Sequence, residues 1–332
     1  MSKVRVGLIG AGRIGQVHAA SIAENRDVEF TYIADVFVDG AQKLADKYGT
    51  KVTADPMELI NASDVDAVVV CSPTSTHVDL ISASIDAGVH VMCEKPIDLD
   101  IARVDALLPK ARAAKTQIAL GFNRRFDPNF SAIKNRVNAG EIGNLEQLII
   151  ISRDPAPAPK EYIAVSGGIF RDMTIHDFDM ARFFVPEIVE VTARGANSFS
   201  DYIAECDDYD SVNVVMRGSN NELITIINSR HASFGYDQRI EAFGSLGMLT
   251  ASNQLPTTVR ALSATQTEVA DPYQNFFLER YSSAYRQELA DFVAGIQSGK
   301  LTNPTYEDGR EALILADAAL ESAKTGKTVS LK

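Results

Sequence analysis

The sequence predicts an α/β chain in two parts: an N-terminal doubly wound parallel sheet, then a C-terminal α+β domain built on an open, mainly antiparallel sheet. Three observations predict it. From Val4 to Gly121 short apolar runs alternate with helical patterns, the order that gives parallel strands joined by crossover helices. Beyond Phe122 the runs lengthen, alternate with period two and follow one another across turns, as antiparallel strands do. At 332 residues the chain exceeds the size at which one core usually stops growing, about 250–300 residues, so two domains are expected, residues 1–122 and 123–332.

The first apolar run, Val4 to Ile9, enters Gly10-Ala11-Gly12-Arg13-Ile14-Gly15 and then a helical pattern reaching Glu24. A strand, a tight glycine turn and a helix N-terminus make a phosphate cradle. Gly10 permits the turn, Gly12 lets a pyrophosphate approach the backbone, and Gly15 lets helix and strand pack closely. The phosphates would sit on the unpaired N–H groups and the positive end of the helix. A second strand, Phe30 to Ala34, ends in Asp35, about 20 residues beyond Gly15, where a dinucleotide-binding unit places its ribose ligand. Three glycines alone would be weak evidence; the strand, helix and acid around them supply the context. A carboxylate accepts hydrogen bonds from a free 2′-hydroxyl and repels a 2′-phosphate. No Arg occurs in Val36-Phe37-Val38, so NAD is expected over NADP.

Asp66 to Cys71 reads as a parallel strand buried on both faces, broken by Ser72-Pro73-Thr74 before a helix that starts near Thr76-His77. In a doubly wound sheet this loop lies at the carboxyl edge, where ligands bind. His77 is therefore near the cofactor, with a helix-start or core role weighed against a chemical one. Val89 to Cys93 is another buried strand and ends in Glu94-Lys95-Pro96. A lysine at that edge beside a backbone-fixing proline is held in place, which makes Lys95 a candidate functional residue against an ordinary surface lysine. A helix over Asp98 to Lys115 and a strand at Gln117 to Gly121 complete a Rossmann domain.

Composition bounds the partners. A formal charge of −12 argues against nucleic acid or anionic membrane, both of which need a basic face. Three scattered cysteines, Cys71, Cys93 and Cys206, do not make a disulfide framework or a four-cysteine zinc site, which fits a cytoplasmic setting. The N-terminus has no signal-peptide core, and no apolar run approaches the roughly 20 residues that span a bilayer.

In the second half a polar stretch, Asn123 to Pro128, leads into a helix from Pro128 to Gly140. Strands are expected at Leu145 to Ser152, Glu187 to Arg194, Ser211 to Arg217, Glu222 to Arg230, Gln238 to Phe243 and Gly247 to Ser252, with Gly218-Ser219-Asn220-Asn221 as one of the turns. Val214, Ile224 and Ile226 are read as an apolar outer face of this sheet, from which a homo-oligomer is expected. Helices around Glu279 to Ile296 and Tyr306 to Lys324 are expected to pack back on the first domain.

The chemical signal here is Gly167 to Asp179. Asp172 and His176 are four apart, so on one helix they share a face about a turn from each other. A carboxylate beside an imidazole is an oriented base that can take a proton from an alcohol as hydride leaves its carbon. The competing reading is an N-capping Asp172 and a satisfied, buried His176. A metal site at His176, Asp177 and Asp179 is disfavoured, because no second His or Cys stands at ligand spacing and hydride transfer to NAD needs no metal.

Together, Gly10 to Gly15, Cys93-Glu94-Lys95-Pro96 and Asp172-Met173-Thr174-Ile175-His176-Asp177 resemble the Gfo/Idh/MocA oxidoreductase family over nearly the whole chain. Gly121 to Asp127, Ser152-Arg153-Asp154-Pro155 and Gly235 to Arg239 are similar to its bacterial inositol 2-dehydrogenase branch, which oxidises myo-inositol to 2-keto-myo-inositol (scyllo-inosose) with NAD. The resemblance implies that Lys95 orients the reacting hydroxyl, that His176 is the base and that Asp172 supports it. It implies a polyol site lined by Lys95, Arg124, Asp154, Asp172, His176, Asp179 and Tyr236. NAD contacts are expected from Gly10, Ala11, Gly12, Arg13, Ile14, Gly15, Asp35, Ser72, Pro73, Thr74, His77, Glu94 and Lys95, and no metal. Asn123 stands where some relatives carry an apolar residue, and the peptide before Pro96 is expected to be cis. The implied assembly is a homotetramer.

Overall fold

The computed structural model describes residues 2–301 and 304–331. The chain clusters into two compact units, Met1–Phe126 with Ser283–Leu313 and Asp127–Ser282 with Ile314–Lys332.

In the first unit six strands, β1 (Val4–Ile9), β2 (Val28–Ala34), β3 (Lys51–Thr53), β4 (Ala67–Val70), β5 (His90–Cys93) and β6 (Ile118–Leu120), form a sheet of order β3-β2-β1-β4-β5-β6. Every pairing in it is parallel. Helices α1 (Arg13–Glu24), α2 (Val38–Tyr48), α3 (Pro56–Ile60), α4 (His77–Ala87) and α5 (Ile101–Ala113) alternate with the strands. Strand order reverses between β1 and β4, which is the switch point beside which such sheets bind ligands. β4 reads Ala-Val-Val-Val because both of its faces are covered, and all four residues are buried. The edge strand β3 goes unpredicted, since three partly exposed residues carry no periodic signal. Leu289, Phe292 and Val293 of the helix Ser282–Ser298 share a core with Val6, Leu8, Ala19 and Ile22.

In the second unit α6 (Pro128–Asn138) starts at Asp127, whose side chain accepts from the N–H groups of Asn129 and Phe130. Then come β7 (Leu145–Arg153), α7 (Lys160–Ile163), α8 (Gly168–Asp172), α9 (Ile175–Phe184), β8 (Ile188–Ala196), β9 (Ser211–Gly218), β10 (Leu223–Ser229), β11 (Asp237–Gly244) and β12 (Gly247–Ala251). The sheet runs β12-β11-β7-β10-β9-β8 and ends on the strand Val329–Ser330. β7 and β10 pair in parallel and the remaining pairs are antiparallel.

Val214, Ile224 and Ile226 are not on the outer face. All three are 0% exposed, on the face where α9 lies against β7 and α6 against β11 and β12. Neighbouring apolar pairs such as Val214-Val215 and Ile226-Ile227 left the strand parity open, and a shift by one residue exchanges faces. The outward face carries Ile149, Thr225 and Val215 in cross-strand register. Beside them stand Leu223, Phe243 and Met248, which with Val215 are 41–52% exposed.

His77 opens α4 and is buried, so the helix-start and core reading describes it. Its Nδ1 lies 2.8 Å from the Pro96 carbonyl and its Nε2 2.8 Å from the Ser72 carbonyl. The ring thus joins the loop after β4 to the loop after β5. A neutral imidazole has one N–H and donates to one of the two at a time. Burial holds its pKa below the ordinary 6.5 despite both carbonyls. His90, whose Nδ1 accepts from the Gln117 N–H at 2.8 Å, is lowered for the same reason.

A depressed histidine pKa means the unfolded chain takes up the proton first. Stability is therefore complete above pH 6.5 and declines as the pH falls from there toward the folded-state value. Denaturant titrations between about pH 7.5 and 5.5 should show this decline, at most about 1.4 kcal/mol per pH unit for each histidine. His77→Gln should flatten it, leaving the part due to His90.

Candidate active site

The first unit gathers the expected cofactor residues at the carboxyl ends of β1, β2, β4 and β5. Gly10 has φ +98°, and a Cβ there would stand 2.6 Å from the Cys71 backbone. A Cβ on Gly15 would stand 2.0 Å from the Gly10 carbonyl oxygen, so α1 packs against the turn as closely as backbones allow. At Gly12, which caps α1, a Cβ would meet nothing within 4 Å. The N-terminus of α1, where Arg13, Ile14 and Gly15 present N–H groups without helical partners, is therefore open to a ligand. Asp35 closes the unit. Its Oδ2 accepts from the Ala11 N–H at 2.6 Å and its Oδ1 from the Phe37 N–H at 2.8 Å, which leaves lone pairs on both oxygens for hydroxyl donors. This donor and acceptor set fits a dinucleotide.

After β4, the Ser72 hydroxyl lies 2.6 Å from that of Thr76, which donates to the Pro73 carbonyl and shapes the loop that carries Thr74. After β5, Glu94 is held by His18 of α1, Nε2 to Oε1 at 2.7 Å, and its Oε2 accepts from the Lys95 N–H at 3.3 Å. The Lys95–Pro96 peptide is cis, as expected, and the Lys95 side chain is partly exposed. Arg124 and Asn123 are buried in the short turn Asn123–Phe126.

In the second unit Asp172 and His176 do not share one helix. Asp172 ends α8 and His176 is the second residue of α9, with Met173 and Thr174 between them. The break is made by contacts distant in sequence. The Thr174 hydroxyl donates to Asn228 Oδ1 at 2.6 Å. Asn228 in turn donates to Asp177 Oδ2 at 2.8 Å, and the Ser152 hydroxyl donates to Asp177 Oδ1 at 2.6 Å. Asp177, 0% exposed, is thus clamped by β7 and β10 and stands on the first turn of α9, where a carboxylate also opposes the helix dipole.

Asp172 is not a free N-cap. Its Oδ1 accepts from the Tyr162 hydroxyl at 2.8 Å and its Oδ2 from Arg230 Nη1 at 3.3 Å. Arg230, which the sequence reading passes over, also donates to Asp208 Oδ2 at 3.1 Å and feels the charge of Asp154. The structure therefore brings Asp172 and Asp208 around one buried cation, whose pKa the Asp154 charge also helps to raise. Asp179 is fully buried on α9, and Tyr236 packs edge-on against Phe276 and Tyr281. Among the described residues no group of three or more His, Cys, Asp or Glu is placed to hold a metal ion, and no helix is long and apolar enough to cross a membrane.

The family model described as an oxidoreductase family with an NAD-binding Rossmann fold matches residues 4–122, and that for the Gfo/Idh/MocA C-terminal domain matches residues 130–250. The inositol 2-dehydrogenase of Rhizobium meliloti (strain 1021) is 46% identical over 99% of both chains. A crystal structure of a myo-inositol dehydrogenase from Corynebacterium glutamicum ATCC 13032 is 61% identical, covers 99% of each chain and superposes with a TM-score of 0.97. The scyllo-inositol dehydrogenase from Lactobacillus casei, crystallised with NAD(H) and scyllo-inositol, is 28% identical over 99% of each chain with a TM-score of 0.90. The chain belongs to the Gfo/Idh/MocA family of NAD-binding oxidoreductases.

Proposed function

We propose that this protein is an NAD-dependent inositol 2-dehydrogenase that oxidises myo-inositol to 2-keto-myo-inositol. The observation that carries the reading is full-length identity of 46% and 61% to two inositol dehydrogenases, in a chain that holds Lys95, Asp172 and His176. Bound NAD supplies the acceptor for the hydride that leaves C2 of the substrate. Residues 1–122 bind that cofactor, through the open N-terminus of α1 and the Asp35 carboxylate, and residues 123–332 carry the polyol site and the contacts between subunits.

In this reading His176 takes the proton of the reacting hydroxyl on a ring nitrogen, and Asp172 favours the imidazolium that results. Lys95 orients the same hydroxyl and stabilises the negative charge that develops on its oxygen, with its position set by the Glu94 contact and the Ser72-His77-Pro96 linkage. Arg124, Asp154, Asp179 and Tyr236 supply the donors and acceptors that a ring of hydroxyls needs, because an apolar pocket discriminates poorly between stereoisomers. The second reading keeps the chemistry and changes the ring to a related cyclitol such as scyllo-inositol. The 28% identity to the Lactobacillus casei enzyme, against 61% to the myo-inositol enzyme, ranks it second. A non-catalytic NAD-binding regulator would not need all three of Lys95, Asp172 and His176.

In this reading the protein is cytoplasmic and forms a homotetramer that buries the outward row of Ile149, Thr225 and Val215 with Leu223 and Phe243. Light scattering should give four times 36.0 kDa, and Val215→Arg should release smaller species.

NADH formation with a panel of inositols and glucose tests the reaction. Lys95→Ala and His176→Ala should each lower kcat/KM with myo-inositol by roughly 100-fold or more, the scale of lost general acid–base help. No turnover on any polyol would favour the regulator. Asp35→Ser should erode the preference for NAD over NADP, read as the ratio of the two kcat/KM values. An unchanged ratio would refute the ribose assignment.

A further inference from the structure

His18 stands on α1 beside Ala19 and one turn before Ile22, and all three are buried. Its ring lies edge-on to Tyr285, with 5.4 Å between centroids. Nε2 meets Glu94 Oε1 at 2.7 Å, whereas Nδ1 has no hydrogen-bond partner among the described residues. In the neutral ring the proton therefore belongs on Nε2, where a carboxylate receives it; on Nδ1 it would be a buried donor without an acceptor. A histidine kept only to fill this space leaves one ring nitrogen unsatisfied, and an apolar side chain would not.

The Glu94 carboxylate that receives this bond is confined on other sides too. Its Oε2 accepts from the Lys95 N–H at 3.3 Å. Gly121 closes on it, since a Cβ there would stand 3.0 Å from the carboxyl carbon and 3.1 Å from Oε2. The sheet brings Gly121 to that place: Leu120 pairs with Cys93, and the Gly121 N–H donates to the Cys93 carbonyl at 2.8 Å. On the far side of Lys95 the Pro96 carbonyl lies 2.8 Å from His77 Nδ1. Lys95 thus stands between two neighbours, each held by a buried imidazole from a different helix, His18 of α1 and His77 of α4.

We propose that His18 is a positioning residue for Lys95: its Nε2–H fixes the Glu94 carboxylate, and the carboxylate fixes the Lys95 backbone. With Oε1 released, the Glu94 side chain regains its rotamer freedom and leaves an N–H that it meets only at 3.3 Å. The lysine side chain then starts from a looser backbone, and a misplacement of about 1 Å at a reacting group costs up to about 100-fold in rate. The consequence for turnover rests on the reading of Lys95 as the residue that orients the reacting hydroxyl; the effect on its backbone does not.

Amide hydrogen exchange in the full-length protein, resolved to single residues by mass spectrometry, reads the backbone effect. His18→Met fills the space with a flexible apolar side chain and removes the donor. In it, exchange at Lys95 should quicken roughly tenfold, the scale of one lost hydrogen bond, with Val91 and Met92 of β5 unchanged. His18→Gln, whose amide nitrogen can stand near the place of Nε2, should restore most of the wild-type rate. A histidine that only fills the core would not single out Lys95. Turnover reads the rest. With myo-inositol, kcat should fall about tenfold in His18→Met, but less than about twofold when the same change is made in Lys95→Ala, because the two residues act on one path. The proposal is overturned by unmoved exchange at Lys95, by equal quickening along β5, or by equal losses of kcat in both backgrounds. If His18→Met does not fold, Gly121→Ala, which crowds the same carboxylate, should quicken exchange at Lys95 instead, and an unmoved rate overturns the proposal. Quicker exchange at Lys95 with unmoved kcat, or with no turnover on any polyol, would reject the reading of Lys95 in the reaction and leave the His18 assignment standing.

Discussion

The first unit depends on one close approach, that of Gly15 to the Gly10 carbonyl, where a side chain would begin 2.0 Å from the oxygen. Because the helix enters at that distance, its N–H groups face the turn in which Gly12 is open on one side. One turn further along, His18 reaches Glu94 at the end of β5. The Glu94 carboxylate also takes the Lys95 N–H. The glycine turn that opens α1 and the backbone of Lys95 are thus joined by one path through α1. His18 is 0% exposed and lies edge-on to Tyr285. In such surroundings a hydrogen bond between charged or polar groups is stronger than in water, and its loss costs more.

In the second unit the corresponding constraint is Asp177. An α-helix laid across a sheet can slide or roll if only apolar contacts hold it, since these have no direction. Two hydrogen bonds from different strands to one carboxylate remove that freedom at the end of α9 that carries His176. Packing decides that the helix lies on the sheet, and the polar clamp decides where along it. Buried polar groups satisfied in this way specify geometry more than they add stability.

Much of this was legible in the residues. The glycine turn, its strand and the acid at Asp35 lie within a short span and are local in physics as well as in sequence. The long strands of the second half were legible because alternation survives wherever one face is covered, and β7, β9 and β11 begin and end within a residue or two of the expected limits. What was not legible depended on partners remote in sequence. Asp172 and His176 read as one helix because nothing nearby announces that Thr174 will bond Asn228 across the fold. Which of Val214 and Val215 points inward is a matter of parity that adjacent apolar residues leave undecided. Arg230 looked like the polar end of a strand. The cluster Asp207-Asp208-Tyr209-Asp210 about 20 residues earlier was the available hint that a cation would be drawn inside.

Both units take in segments from the end of the chain. Residues 283–313 belong to the first and 314–332 to the second, whose sheet is finished by the strand Val329–Ser330. During synthesis the N-terminal sheet therefore waits for Leu289, Phe292 and Val293 before its core is closed. The other unit must also bring β7 and β10 together in parallel from well-separated places. Loop closure of this kind slows folding. Until these late segments have emerged, nascent chains expose apolar surface in both halves at once, so neither half completes its core domain by domain.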